Sequence, residues 1–271
     1  TNCSSSLNIS LSVTDSSGSG ENGNTVTQSN TGGIVGGFEN SSYASVSQCA
    51  YSGTITTSGT GAFINLGGIV GIAGTISNCT TSGAINMAGG RMENVGGIAG
   101  RVYSSTTNCI SNMSITLNSN ANKYGISNIQ YVGGLVGNGV TITNCTTNGT
   151  ITASASNSFD SYYAQINYVG GLVGTAYTIS SSSASGAINI KSGKSAQYVG
   201  GIAGYLRNGV NKSYSTMNIS VTPEGQNIGG LAGYGDSTTI NQCYSTGNVT
   251  AANSSYVGGF LGYGASKIDQ S

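Results

Sequence analysis

The feature that most constrains this chain is a short glycine signature that recurs along its length. The pattern Gly-Gly-φ-φ-Gly, in which φ is an apolar residue, starts at eight positions: Gly32, Gly67, Gly96, Gly133, Gly170, Gly200, Gly229 and Gly258. Successive copies are 35, 29, 37, 37, 30, 29 and 29 residues apart, which indicates a unit of about 29–30 residues that carries insertions. A period in this range is typical of architectures built by stacking one repeated unit.

Each unit contains three segments in which small or polar residues alternate with β-branched ones. Residues 131–137 (YVGGLVG), 141–145 (TITNC) and 149–152 (GTIT) represent the three segments in one unit. Alternation with a period of two predicts half-buried strands, and no window shows a sustained helical period. We therefore predict three strands in every unit.

Aligned units form columns of similar residues on either side of the Gly-Gly pair. The residue before the pair is almost always apolar: Thr31, Leu66, Val95, Val132, Val169, Val199, Ile228 and Val257. So is the residue after it: Ile34, Ile69, Ile98, Leu135, Leu172, Ile202, Leu231 and Phe260. We expect both columns to face the core. One position earlier stands a column of asparagines and tyrosines, which predicts an outward or corner stack of like side chains: Asn30, Asn65, Asn94, Tyr131, Tyr168, Tyr198, Asn227 and Tyr256.

A single unit of this size cannot bury its own apolar face, whereas stacked units can, with each strand pairing to its equivalent in the next coil. The sequence therefore predicts an all-β chain that forms a parallel β-solenoid (β-helix). We expect about eight to nine coils, each with three strands and ~29–37 residues. Residues 1–271 would then form a single solenoid domain with incomplete coils at both ends.

Residues 228–234 (IGGLAGY) followed by residues 240–249 (INQCYSTGNV) resemble the GLUG motif, a short repeat of large surface and secreted proteins. The resemblance covers nearly the whole chain, and residues 1–30 match it least. It implies a repetitive β-solenoid of a surface or secreted protein, such as an adhesin.

Composition restricts the function classes further. Only 6% of residues are charged, against roughly 25% in a typical soluble domain, and the formal net charge is zero. Scattered cations and no net charge give no reason to expect nucleic acid or an anionic membrane as a partner. The longest apolar stretch, residues 67–76, is about half the length of a membrane-spanning helix. Low charge, abundant Ser, Thr and Asn, and six cysteines favour an extracellular or cell-surface location.

The cysteines fall in one column: Cys3, Cys49, Cys79, Cys109, Cys145 and Cys243, with Ser182, Ser213 and Ser271 at the equivalent positions of other units. Stacking would bring neighbouring members within the Cα separation that a disulfide tolerates. Disulfides Cys49–Cys79 and Cys109–Cys145 are therefore one interpretation. The other is a column of small, buried, reduced thiols, since serine replaces cysteine in it. The column would place one cysteine in each coil along a straight line, and such a line cannot surround a zinc ion with four tetrahedral ligands.

Eleven asparagines stand in N-glycosylation sequons: Asn2, Asn8, Asn40, Asn78, Asn112, Asn144, Asn148, Asn211, Asn218, Asn248 and Asn253. A chain so rich in Asn, Ser and Thr contains several by chance. Asn78 and Asn144 directly precede column cysteines, where the alternation of a strand still allows a glycan to point outward.

Catalysis is not expected. The chain has no histidine, so it has no Ser-His or Cys-His pair, and its eight carboxylates fall in different columns. Arg91, Glu93 and Arg101 are the nearest approach to a charged cluster, and we interpret them as a surface ion pair. No cofactor and no metal site is predicted.

Two functions remain. Long insertions at residues 118–130 and 153–167 lie on one edge of the coil, where solenoids often build a binding surface. The other interpretation is that this corner simply tolerates extra length. The terminal coils show no charged, proline-bearing or helical cap, although open sheet edges are normally protected. We therefore expect an extracellular structural protein whose subunits stack head-to-tail with copies of themselves into a filament or surface fibre. The alternative is the repeat region of a larger adhesin that binds carbohydrate or another ligand on a host or neighbouring cell.

Overall fold

The computed structural model describes residues 1–13, 30–38, 42–120, 127–156 and 164–269. All regular structure in these residues is β, and every strand pairing is parallel. Twenty-nine strands, numbered β1 to β29 in chain order, form three sheets that we call sheets A, B and C. The predicted all-β parallel solenoid is confirmed.

Sheet A has twelve strands: β1 (Ser4–Ser5), β2 (Ile9–Val13), β5 (Ala50–Tyr51), β6 (Thr54–Gly59), β9 (Thr80–Gly89), β12 (Ile110–Asn120), β16 (Thr146–Ser156), β19 (Ser183–Ser192), β22 (Tyr214–Ser215), β23 (Asn218–Thr222), β26 (Tyr244–Ser245) and β27 (Val249–Ala251). Sheet B has eight: β3 (Thr31–Gly32), β7 (Ala62–Gly67), β10 (Arg91–Gly96), β13 (Ser127–Gly133), β17 (Ala164–Gly170), β20 (Ser195–Gly200), β24 (Gly225–Gly229) and β28 (Ser255–Gly258). Sheet C has nine: β4 (Ser45–Ser47), β8 (Val70–Ser77), β11 (Ala99–Thr107), β14 (Val136–Asn138), β15 (Thr141–Thr143), β18 (Val173–Ser180), β21 (Ala203–Asn211), β25 (Ala232–Asn241) and β29 (Leu261–Asp269).

The described chain passes through sheets A, B and C in that order eight times, and each passage is one coil. Successive coils stack in register, so that equivalent residues lie side by side. Ile85 of sheet A, for example, pairs with Ile55 of the coil before and with Ile115 of the coil after. In-register stacking turns each sequence column into a row of like side chains along the axis.

The core lies between the three sheets and runs the length of the rod. Both apolar columns predicted beside the Gly-Gly pair are buried through the central coils, as Val132 and Leu135 show. The isoleucine column of sheet A, which includes Ile115 and Ile151, is buried as well. Each such side chain contributes about 1.5–3 kcal/mol by leaving water, and this repeated burial stabilises coils that are too small to be stable alone.

The Gly-Gly segment differs from the sequence prediction. It is not a strand of its own but the corner at which a strand of sheet B bends into a strand of sheet C, as between β13 and β14. The second glycine of each pair except the last faces the same corner of the next coil. A Cβ built on Gly97 would stand 2.1 Å from the carbonyl oxygen of Gly134. The glycines are therefore required because backbones of adjacent corners approach closely.

Residues with a left-handed backbone bend the coil at two further columns. The residue before each column cysteine is one, with φ of 52° at Asn78, 54° at Asn108 and 52° at Asn144. The Asn/Tyr column is the other, with φ of 55° at Asn94 and 57° at Tyr131. Asparagine tolerates this conformation better than most residues. The prediction that the Asn/Tyr column stacks at a corner is confirmed.

The segments interpreted as insertions are partly strand. Residues 118–120 end β12 and residues 127–130 begin β13; likewise residues 153–156 end β16 and residues 164–167 begin β17. The first residues of the sheet B strands vary between units, so the repeat predicts only the ends of these strands, as Tyr131–Gly133 of β13. The remaining parts of the insertions, 121–126 and 157–163, lie outside the described residues.

Candidate functional site

The cysteine column forms a hydrogen-bond ladder inside one corner of the rod. The thiols of Cys79, Cys109 and Cys145 each donate to the carbonyl oxygen two residues earlier, over 3.2 Å. A column sulfur can also accept a hydrogen bond: the amide of Cys79 donates to the Cys109 sulfur over 3.5 Å. Cys109 thus serves a backbone carbonyl of its own coil and a backbone amide of a neighbouring coil.

Serine performs the same two tasks where it replaces cysteine. The hydroxyl of Ser182 donates to the carbonyl of Ser180 over 2.7 Å and accepts from the amide of Cys145 over 3.1 Å. Ser213 accepts from the amide of Ser182 in turn. The shared requirement is a small side chain that both donates and accepts, which explains why the column alternates between only these two residue types.

Burial and mutual hydrogen bonding keep most of these thiols protonated. The hydrogen bond with Cys109, followed by burial, raises the pKa of Cys79. The hydrogen bond with Cys145 is the largest cause that raises the pKa of Cys109 to about 12, and the same bond lowers the pKa of Cys145. Since the thiolate is the reactive form, the raised pKa values lower the reactivity of Cys79 and Cys109 at neutral pH.

All six cysteines are thiols in the structure, with Cys3 exposed and the other five buried. The bridges Cys49–Cys79 and Cys109–Cys145 therefore stay predictions. Each would join neighbouring positions of the ladder and would replace the thiol protons that now bond to backbone carbonyls.

The predicted glycosylation sites lie on the outside of the rod. Ten sequon asparagines are exposed: Asn2, Asn8, Asn78, Asn112, Asn144, Asn148, Asn211, Asn218, Asn248 and Asn253. Asn40 lies outside the described residues. Several of these side chains form rows, since Asn144 donates to Asn108 over 2.7 Å and Asn148 donates to Asn112 over 3.0 Å. Occupancy of any sequon stays a prediction.

The charged cluster considered in the sequence is divided by the fold. Arg91 and Glu93 form an ion pair on β10 of sheet B. Arg101 instead lies on β11 of sheet C, where its guanidinium stands 4.9 Å from the ring centre of Tyr103. Within the described ranges, no group of three or more His, Cys, Asp or Glu side chains could hold a metal ion. No helix in that part of the chain is long and apolar enough to cross a membrane.

Tyrosines form two parallel stacks where sheet B bends into sheet C. In the Asn/Tyr column, the rings of Tyr131, Tyr168 and Tyr198 lie 4.9 Å apart and nearly parallel. In the neighbouring column on sheet C, Tyr205 stacks on Tyr234 at 5.2 Å. The two stacks meet edge to face, with Tyr198 6.0 Å from Tyr205. Aromatic pairs of this kind contribute about 0.5–1.5 kcal/mol each beyond burial, so this corner is rigid.

A groove of about 350 Å³ opens beside the tyrosine stacks, and we call it the tyrosine–arginine groove. Its walls include Tyr103, Tyr131, Tyr168, Tyr177 and Tyr205; its floor includes Asn138, Val140 and Thr175; and Arg101 and Arg207 lie at its two ends. The volume falls within the range of ligand-binding pockets. The four coils from Arg101 to Arg207 span about 14 Å at the usual spacing of strands.

The groove exists because two coils carry short side chains at positions where the neighbouring coils carry long side chains. The column that holds Arg101 continues with Asn138, Thr175 and Tyr205. The wall of the middle coils is also shorter by one residue. Arg101 pairs with Asn138 and Ser105 pairs with Thr141. Three residues lie between Arg101 and Ser105, but only two lie between Asn138 and Thr141. Sequence reasoning missed this site, although the arginines and tyrosines around short residues in the aligned columns could have indicated it.

The electrostatics of the groove are set by its arginines. Arg207 lies 5.2 Å from the ring centre of Tyr177 and donates to the Tyr177 hydroxyl over 3.2 Å. Among the described residues, no carboxylate lines the groove. Asp236 stands one coil beyond Arg207, where it accepts a hydrogen bond from the Tyr205 hydroxyl. Burial, followed by Asp236, raises the pKa of Tyr205. Arg101 and Arg207 give the groove two positive charges.

The outer face of the last described coil is an open edge. Strands β26 to β29 lie at the ends of their sheets and leave one side without a neighbouring strand in the described chain. Val257 is 45% exposed, whereas Ile228, the same position one coil earlier, is completely buried. A Cβ on Gly259 would meet nothing within 4 Å, although the equivalent Cβ on Gly230 would lie 2.1 Å from the Gly259 carbonyl oxygen.

Comparison with known proteins identifies one family motif in this architecture. The sequence model of the GLUG motif matches residues 224–250, which run from β24 through β25 and β26 into β27. The resemblance noted in the sequence is thereby confirmed at this segment, and the chain carries a GLUG motif. No curated protein and no solved structure matches the chain.

Proposed function

We propose that this GLUG-motif chain is an extracellular structural protein, without catalytic activity, whose rods stack head-to-tail into a filament or surface fibre. The observation that supports the proposal is the in-register stacking of coils along three continuous sheets, in which each coil covers the apolar column of the coil before it, as at Ile228. Within the described chain the outer edge of β26 to β29 has no such cover, and Val257 there is 45% exposed. Covering such an edge with another coil would bury the apolar column and pair the outer strands.

The first coil offers a matching surface. Strands β1 and β2 of sheet A, β3 of sheet B and β4 of sheet C lie at the opposite ends of the same three sheets. A second copy placed against the last coil would therefore continue each sheet with a strand of the same sheet. A heterologous contact of this kind propagates as a fibre unless it closes into a ring.

Gly259 provides the test because a Cβ added at this residue would point at the incoming copy and would contact nothing in its own chain within 4 Å. Gly259→Ala should leave the isolated rod as stable as the wild type, since no atom lies within 4 Å. It should block stacking, because every central equivalent, such as Gly230, lacks the room for a Cβ. Thr250→Ala is the matched control, with a similarly small change at an exposed position of the same coil.

The assay is analytical ultracentrifugation over a range of concentrations, combined with electron microscopy. We expect wild type and Thr250→Ala to assemble and Gly259→Ala to stay a single rod. At concentrations below assembly, all three should have the same melting temperature. Assembly of Gly259→Ala to the wild-type extent would contradict the proposal, as would a wild-type chain that stays single at all concentrations.

A second function, the repeat region of a cell-surface adhesin, is favoured by the tyrosine–arginine groove. Rigid aromatic walls and two arginines on the side of the rod stay accessible whether or not the ends stack. Stacking would then display many copies of the groove along one fibre, which raises avidity without any new contact. Extracellular location belongs to both proposals and is supported by the exposed sequon asparagines and the low charge.

A further inference from the structure

We propose that the tyrosine–arginine groove binds an acidic oligosaccharide, a short chain of sugars that carries carboxylate or sulfate groups. The inference rests on the second function above and does not depend on end-to-end stacking. It follows from three properties of the groove: its charge, its aromatic faces and its length.

The charge of the groove selects an anion. Arg101 and Arg207 lie at the two ends, and within the described residues no lining side chain is a carboxylate that would neutralise them. Tyr177 holds the Arg207 guanidinium through its ring and its hydroxyl. Guanidinium groups bind carboxylate and sulfate oxygens through paired hydrogen bonds. Two arginines in a chain of zero net charge are too few for nucleic acid, whose binding needs many phosphate contacts.

The aromatic faces select a sugar. Tyr103 and Tyr177 are both exposed on the same wall, two coils apart, and Val140 lies in the coil between them. Two coil spacings, about 9.6 Å, leave a slot between the tyrosines that can admit one flat ring. Tyr205 also lines the groove, with one face stacked on Tyr234 and the Arg207 guanidinium 5.7 Å from its ring centre. The apolar C–H faces of pyranose rings pack on such aromatic surfaces.

The floor and the length of the groove select an oligosaccharide over a single sugar. Asn138 and Thr175 present an amide and a hydroxyl along the floor, joined by a hydrogen bond of 3.2 Å. These groups can exchange hydrogen bonds with sugar hydroxyls. The backbones of Arg101 and Arg207 are three coil spacings apart, about 14 Å along the axis, which is longer than one sugar ring, so a chain can present an acidic group to each arginine.

The test is isothermal titration calorimetry with four defined probes. Hexagalacturonate supplies carboxylates, and its fully methyl-esterified form is the matched neutral probe. A heparin-derived hexasaccharide supplies sulfates, and a hexaglutamate peptide supplies carboxylates without sugar rings. We expect at least one acidic oligosaccharide to bind at least tenfold more tightly than the neutral probe and the peptide, and the tighter of the two identifies the acidic group.

Matched variants locate the binding. Arg207→Gln and Arg101→Gln should each weaken binding about tenfold or more, whereas Arg91→Gln, which removes an arginine outside the groove, should leave it unchanged. Tyr177→Ala should weaken binding, and Tyr244→Ala should not, although both tyrosines are similarly exposed, at 47% and 50%. Tyr244 stacks on Tyr214 on sheet A, away from the groove.

Three results would overturn the proposal. The first is that neither acidic oligosaccharide binds the wild type. The second is that the methyl-esterified sugar or the peptide binds as tightly as the acidic sugars. The third is that Arg207→Gln and Arg91→Gln have equal effects while circular dichroism shows that both are folded. None of these results bears on fibre assembly, which is scored separately with Gly259→Ala.

Discussion

Adding one methyl group at a central Gly-Gly corner should separate two coils. In Gly97→Ala the new Cβ would lie 2.1 Å from the Gly134 carbonyl oxygen and 2.1 Å from the Ser111 hydroxyl oxygen. Ser111 can rotate, but the Gly134 carbonyl belongs to the backbone of the next corner. Relief of the contact therefore requires the corner of β10 and β11 to move about 1 Å away from that of β13 and β14, since carbon and oxygen pack at about 3.4 Å.

The magnitude follows from what that movement breaks. Overpacking alone costs about 1–3 kcal/mol. The amides of Ile98 and Ala99 both donate to the Leu135 carbonyl across the same gap, over 2.8 and 3.2 Å, and each bond contributes about 1 kcal/mol. The free energy of unfolding should therefore fall by about 3–5 kcal/mol. For a chain of this size, that loss lowers the melting temperature by about 10 °C.

The assay is thermal unfolding followed by circular dichroism, with hydrogen exchange to locate the effect. Because a solenoid can open locally, exchange should speed up first at the amides of the coils that contain Gly97 and Gly134. Gly259→Ala is the matched control, with the same substitution in the same column and no neighbour within 4 Å. Equal melting temperatures for Gly97→Ala and the wild type would refute the argument that close approach of the corners requires glycine.

Further predictions concern the cysteine ladder. In the native protein only the exposed Cys3 should react with a thiol reagent, and denaturation without reductant should then reveal six thiols; a count of two would establish both predicted disulfides instead. Cys109→Ser should cost less stability than Cys109→Ala, because serine keeps both hydrogen bonds and alanine loses two of about 1 kcal/mol each; urea unfolding measures the difference, and an equal loss would contradict the ladder. Because the pKa of Cys109 is raised from 9.0 to about 12 in the folded state, its contribution is complete below pH 9 and should decline as the pH rises toward 12. Urea unfolding as a function of pH should show a smaller decline for Cys109→Ser, and identical profiles would contradict the assignment.

The architecture could be predicted from the sequence because in-register stacking leaves a direct trace in it. Residues that lie side by side along the axis recur at a regular period, so the sequence alone predicts that the columns of Val132 and Leu135 belong to the core, where both are buried. The same alignment predicted a stack of like side chains in the Asn/Tyr column, outward or at a corner, and left these two arrangements open. Properties that repeat in every coil are visible in a repeating sequence.

The division of the coil into strands is harder to predict from the sequence than the core columns are. The Gly-Gly segment alternates like a strand, yet the close approach of Gly97 to Gly134 makes it a corner. Periodicity cannot distinguish these cases, because the reason for glycine lies in the adjacent coil. The role of the cysteine column was hidden likewise, since its hydrogen bonds cross from one coil to the next, as from the Cys145 amide to the Ser182 hydroxyl.

The groove could not be predicted from the repeat because it is a departure from the repeat. It requires Asn138 and Thr175 to interrupt a column of long side chains, with Arg101 and Tyr205 on either side. It also depends on coils that differ by one residue in the same wall. A repeated unit builds the rod, and the positions at which coils differ are where a binding surface can arise.

The most direct test of the proposed function is cryo-electron microscopy of the purified chain at a concentration where it assembles. Stacking of eight coils per subunit at about 4.8 Å predicts continuous fibres, with three sheets that run unbroken through subunit boundaries and an axial repeat of about 38 Å. Single rods of that length at every concentration, or fibres whose sheets are interrupted at each boundary, would contradict it.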